Sequence, residues 1–275
     1  MKGPGSIGRR LARTPLGPVL VALFALAAAA GPWLAPYDPR AIDLAHQYEL
    51  PSAAHWLGTA DNGVDILSVL LHGARLAGLV GLSVVGLALA IGTVLGAVAG
   101  YRGRWTDHAV TGVADLVQAF PAIVLNIAIL AVVAKPGLGH LIVALVVPGW
   151  VLYARVARAQ TFTLREREFV TAARALGLSE TRILGVHVLP NLAGALVVQA
   201  TAGLGAVILA ESTLSFLGLG PGQAVSWGAL LDQGSAVLLR FPHVALFAGG
   251  AIALAVLGFN LTGDWLRDRL DPRNL

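Results

Sequence analysis

The chain has 275 residues, of which 56% are apolar and only 12% charged, against roughly 45–50% and 25% in soluble domains. That balance excludes a soluble enzyme, and it excludes a disordered polymer because disorder needs high charge and low hydrophobicity. Cysteine is absent, so disulfides, thiolate metal sites and cysteine nucleophiles are excluded. A net charge of +4 would point to nucleic acid only if the basic residues shared one soluble face, and they are scattered through short loops.

A helix that crosses the hydrocarbon core needs about 20 mainly apolar residues. Six stretches qualify, at 16–35, 77–100, 116–134, 138–153, 192–212 and 244–263. The first follows Lys2, Arg9, Arg10 and Arg13 and contains a small-residue run at 27–31, as a secretory signal peptide does. Its apolar length exceeds a signal core of roughly 7–15 residues, and it is read as a retained span. Residues 36–75 then form an outer lobe rich in Pro, Asp, His and aromatic residues. Within it Asp61-Asn62-Gly63-Val64-Asp65 reads as an Asn-Gly turn. A calcium loop would need a bidentate Glu where His72 stands.

Counting Lys and Arg on each side of six spans places fifteen on the side of both termini and four (Arg40, Arg75, Lys135 and Arg240) on the other. Because such residues stay cytoplasmic in short loops, both termini are expected inside. The fold class is therefore an all-α membrane protein with six spans, made of a 1–15 cytoplasmic tail and one 16–275 membrane domain. No repeat and no Ser- or Pro-rich linker divides it.

The chemistry that is missing narrows the function. The two lysines, Lys2 and Lys135, precede Gly3 and Pro136, so no GxxxxGK[ST] loop exists to hold nucleotide phosphates. No H-E-x-x-H or G-x-S-x-G occurs either. No catalytic residue, metal ligand or cofactor is assigned.

The cytoplasmic segment 154–191 carries most information. In it Phe169, Ala172, Ala173 and Leu176 recur at helical spacing on one face, and Gly177 follows where a left-handed C-cap is expected. Ser179 can cap a second helix that runs through Arg182, Leu184 and His187 until Pro190 stops it. On pattern alone this helix, corner and helix could instead be an amphipathic hairpin lying on the bilayer.

Within the spans, Glu211 is the one clear carboxylate. Ionisable residues there are costly and usually functional or paired; it reads either as a pathway or gate residue or as a hydrogen-bond partner for the 214–220 turn. Asn126 and Gln199 join it as candidate pathway residues, with helix–helix hydrogen bonding as their plainer reading.

Thr171-Ala172-Ala173, Gly177, Ile183 and Leu189-Pro190 resemble the EAA loop of bacterial ABC-importer permeases, with Thr171 in place of the glutamate. Further segments are similar to the C-type subunit of dipeptide, oligopeptide and nickel permeases: His55-Trp56-Leu57-Gly58-Thr59, the Gly100–Asp107 run, Ala119-Phe120-Pro121, Ser226-Trp227-Gly228 and Gly263-Asp264-Trp265. The likeness extends from Pro32 to Arg273. It departs at Val64 and Val69, where family members usually carry arginine.

The resemblance implies a type I ABC-importer permease fold and one half of a translocation pathway for peptides or a related small solute such as a nickel chelate. It also implies several partners: a second homologous permease, two cytoplasmic ATP-binding subunits that hydrolyse the ATP, an extracytoplasmic solute-binding protein and the lipid bilayer of a bacterial or archaeal cell membrane. Phe169, Ala172, Ala173, Arg174, Leu176 and Gly177 would form the ATPase-coupling element. A secondary transporter or a membrane scaffold is the alternative.

Overall fold

Apolar run length decides where helices form in this chain, and caps and prolines decide where they stop. The computed structural model describes residues 15–222 and 224–270; the basic N-terminal tail and Arg273 lie outside them. Five helical runs are long and apolar enough to cross a membrane: α1 (Leu16–Leu34), α2 (Ile66–Arg102), α5 (Leu138–Leu164), α7 (Leu189–Phe216) with the turns that lead into it from Glu180, and α9 (Pro242–Leu270). The expected third span is broken. Its residues divide between α3 (Arg104–Gln118) and α4 (Ala122–Ala131), which are bent by 79°. Pro121 is the physical reason, since it has no N–H to donate and drives Phe120 before it out of the helical region.

Two short helices complete the set, α6 (Glu168–Ala175) and α8 (Trp227–Ala236). Among the described residues the only β-type pairing is an isolated bridge between Thr59 and Asp65. It closes the expected turn, where Asn62 (φ 58°) and Gly63 (φ 72°) both take the left-handed conformation. Asp65 then starts α2: one carboxylate oxygen accepts from Ser68 N (2.8 Å) and Ser68 Oγ (2.7 Å) while the other meets His55 Nδ1 (2.9 Å). The cap lengthens this helix well beyond the expected 77–100.

The centre of the molecule is the seam between α2 and α5. Gly92, Gly96 and Gly100 face the carbonyl oxygens of Trp150, Ala154 and Arg158 so closely that a Cβ on them would lie 2.4, 2.1 and 2.5 Å away. Small residues four apart let two backbones touch, which is how membrane helices gain packing where no hydrophobic driving force separates lipid from protein. Around this seam Val85, Ala88, Val151 and Tyr153 are buried. At the start of α2 and α9 the 36–65 lobe is fixed to the bundle by His243 Nε2 to Thr59 O (3.2 Å) and by Tyr48 stacked on Phe241 with centroids 4.6 Å apart. Val64 and Val69, where arginines were the family expectation, pack against a buried cluster with Ile66, Leu230 and Val244.

Candidate functional site

The segment expected to couple to an ATPase is built on the end of α5, which continues to Leu164 and carries a row of arginines. Arg158 grips Asp107 of α3 through both Nε and NH2, the latter at 2.6 Å from Oδ2, and Arg155 pairs with Asp115 at 2.8 Å. Arg165 donates to Gly100 O (3.1 Å) and lies 3.8 Å over the Phe162 ring. The basic residues counted for orientation therefore also tie α5 to α2 and α3.

Helix α6 follows and ends at Ala175, with Leu176 as its C-cap. Leu178 N donates to Ala173 O (3.2 Å) and Gly177 N to Arg174 O (3.0 Å), with Gly177 at φ 79°. This pair of bonds is a Schellman cap, whose left-handed corner glycine tolerates best. Val170 and Ala173 point inward and bury against Ile183 and Val188, with Tyr101, Leu164, Leu178 and Leu184 closing the cluster. The expected stripe is thus split: Ala173 is 5% exposed, while Phe169, Ala172 and Leu176 are open, Leu176 at 80%. Val170, absent from the expected stripe, moves the buried face round by a fraction of a turn.

A polar latch adds to the apolar contact. The Tyr101 hydroxyl at the end of α2 donates to Glu180, and Arg174 donates through Nε to the other Glu180 oxygen (3.1 Å) and through NH2 to Tyr101 (3.4 Å). Hydrogen bonding to the Glu180 carboxylate pushes the Arg174 guanidinium further above its already high range. Tyr101 and Glu180 were not anticipated; their separation in sequence hides the contact.

Pro190 does not stop the second helix. Ser179 stands at the N-cap position of Glu180–Arg182 without a side-chain bond to the backbone, and a π turn at Ile183–Val188 carries the chain into α7 with Pro190 in its first turn. Proline is tolerated at that position because its missing N–H has no obligatory partner. Asn191 Nδ2 donates to His187 O (2.6 Å) beside the wide turn.

The three candidate pathway residues are not brought together. Asn126 is buried on α4; with its amide oriented to satisfy its neighbours, the nitrogen donates to Ala144 O (2.8 Å) and Ala122 O (3.3 Å). Ala144 precedes Pro148 by four residues, so its carbonyl lacks the usual helical donor and Asn126 supplies one. Asn126 and Pro148 also line a pocket of ≈ 250 Å³ with Tyr153 and Gly203. Gln199 is half-buried on α7, about 18 Å along the helix from Glu211 at 1.5 Å per residue.

Glu211 is 1% exposed and accepts from Ser215 Oγ (2.7 Å) and Ser212 Oγ (3.4 Å). Just beyond it α7 ends in a second Schellman cap, Leu219 N to Leu214 O (2.9 Å) and Gly218 N to Ser215 O (3.1 Å), with Gly218 at φ 75°. Helix α8 packs on this end. Ser226 caps it through Ala229 N (3.1 Å), Trp227 Nε1 donates to Leu70 O (2.8 Å), and a Cβ on Gly228 would lie 2.1 Å from Ser212 O. The Ser-Trp-Gly run is therefore a docking element between α2, α7 and α8.

Residues 92–275 match the family model described as "binding-protein-dependent transport system inner membrane component". The chain is 40% identical over 259 residues to the dipeptide transport system permease protein DppC of Alkalihalophilus pseudofirmus, covering 94% of this chain and 85% of that protein. It is 36% identical to the oligopeptide transport system permease protein OppC of Bacillus subtilis with the same coverage. To the glutathione transport system permease protein GsiD of Pectobacterium atrosepticum it is 38% identical, over 88% of this chain and 80% of that one.

Proposed function

The chain belongs to the family of binding-protein-dependent transport system inner membrane components, and from that premise we propose that it forms one half of the translocation pathway of an ATP-driven peptide importer. A homologous permease supplies the other half, two cytoplasmic ATP-binding subunits supply the energy, and an extracytoplasmic binding protein delivers the solute. The chain itself is not an enzyme. The names of its relatives favour small peptides over nickel chelates. Both termini face the cytoplasm of a bacterial cell, as the charge asymmetry argues.

One observation carries the reading: α6 presents Phe169, Ala172 and Leu176 outward while its other face is fastened to three long helices. A partner that seats this exposed face and moves cannot move α6 alone. The buried cluster ties α6 to the turns leading into α7, Tyr101 and Arg165 tie the segment to α2, and the glycine seam locks α2 to α5. Nucleotide-driven motion therefore reaches the bundle as a rigid-body displacement. At the other end of α7, Glu211 braces the turn that would shift as the pathway opens. Asn126 and Gln199 lie along the route, Asn126 lining its pocket beside Tyr153.

The test is uptake of a labelled dipeptide into proteoliposomes that contain the assembled transporter. Uptake should require ATP and the binding protein, and the isolated chain should show no ATPase activity and no uptake. Ion-gradient-driven uptake by this chain alone would establish a secondary transporter instead.

A further inference from the structure

Arg75 is the only Lys, Arg, Asp or Glu between Ile66 and Tyr101 on α2. It has no hydrogen-bond or ion-pair partner among the described residues, and the helices that wall its groove offer none; Asp232 of α8, which packs on α2 through Trp227, is exposed and lies outside the groove. Helix α1 has no charged residue, α9 has none before Asp264, and the single acid of α7, Glu211, is turned toward Ser212 and Ser215. A guanidinium at the edge of hydrocarbon is costly without a counter-anion or a reach to the headgroups, and no described residue supplies that anion.

The surroundings indicate its chemistry. Arg75 lines a groove of ≈ 510 Å³ whose other walls are apolar: Val21, Ala25 and Ala28 of α1, Leu79 and Leu82 of α2, and Ile208 of α7. Gly31 packs on Leu71 and Gly78 on Ala28, so the two helices run antiparallel and Arg75 marks the end of the groove nearest the outer lobe. Trp33, 82% exposed, stands about one helical turn further out. Such tryptophans sit at headgroup level. A fixed cation at that depth, above a trough leading into the bilayer, suits an amphipathic anion.

We propose that Arg75 and this groove hold an anionic phospholipid, its phosphate on the guanidinium and an acyl chain between α1 and α2. Guanidinium matches phosphate in a bidentate fashion, and a long basic side chain near the end of a span reaches to headgroup level along its apolar stem. A protein carboxylate would have to be desolvated to reach the same place, whereas lipid phosphates are already there.

The experiment is native mass spectrometry of the assembled transporter released from nanodiscs of phosphatidylcholine with a minor fraction of phosphatidylglycerol. Wild type should retain phosphatidylglycerol selectively. Arg75→Gln should lower its occupancy roughly tenfold or more, as expected for loss of a charged hydrogen bond, and Arg75→Lys should be intermediate. Ala25→Phe, which fills the trough and leaves the arginine, should also displace the lipid. Unchanged phosphatidylglycerol retention in assembled Arg75→Gln would overturn the proposal. So would loss of the second permease from that variant with the lipid count unchanged, which would assign Arg75 to the subunit interface.

Discussion

Replacing Gly96 with alanine tests the α2–α5 seam where it is tightest. The new Cβ would stand 2.1 Å from Ala154 O and 2.8 Å from Ala154 Cα, against ordinary carbon contacts of about 3.5–4.0 Å. Both obstacles are backbone, so no side-chain rotation relieves them and the helices must part by about 1 Å. Parting also loosens the approaches at Gly92 and Gly100, and overpacking of this kind costs about 1–3 kcal/mol. In water the exchange would recover ~1 kcal/mol of helix propensity. In a bilayer α2 stays helical even when its neighbours detach, so that gain is common to both states and cancels. The assay is unfolding of the purified subunit in bicelles, with Gly86→Ala as control because nothing lies within 4 Å of a Cβ there. Gly96→Ala should lose about 1–3 kcal/mol and the control almost none. Equal stability of the two variants would refute the packing argument.

Tyr101→Phe removes the hydroxyl of the latch and leaves the Arg174–Glu180 pair, so subunit stability should hardly change while uptake per ATP hydrolysed falls a few-fold, measured on the same proteoliposomes. Glu211→Ala leaves the Ser215 hydroxyl buried without its acceptor and should destabilise by about 1–3 kcal/mol in thermal melts; Glu211→Gln keeps an acceptor oxygen and should retain stability and most uptake. With no native cysteine, single thiols report topology: one at Ser52 should react with an impermeant reagent added outside, and one at Ser179 should not.

The rough place of five of the spans was legible because apolar length has one cause, the thickness of the bilayer; the sixth, expected at 116–134, is the pair bent at Pro121. Their ends were not. The start of α2 depends on Asp65 meeting Ser68 and His55, and the end of α5 on arginines that find Asp107, Asp115 and Gly100 across the bundle. Gly177 was readable because the chemistry of a helix C-terminus is local. Pro190 was misread because proline ends one helix and begins the next with equal ease, and a π turn decided between them. Glu211, Asn126 and Gln199 were grouped by polarity alone, and folding disperses them to different partners. Gly92, Gly96 and Gly100 carry a legible signal of their own, since small residues spaced by four mark a close helix contact.

The most direct test of the coupling account is Gly177→Val. A β-branched residue at φ 79° is a genuine outlier, so the corner between α6 and Glu180 should open and take Phe169, Ala172 and Leu176 out of register with the proposed ATPase partner. In transporter inserted at normal levels, ligand-stimulated ATP hydrolysis and uptake should both collapse while the spans remain folded. Stimulation and uptake at wild-type values would contradict the assignment of this helix as the element through which the ATPase drives the permease.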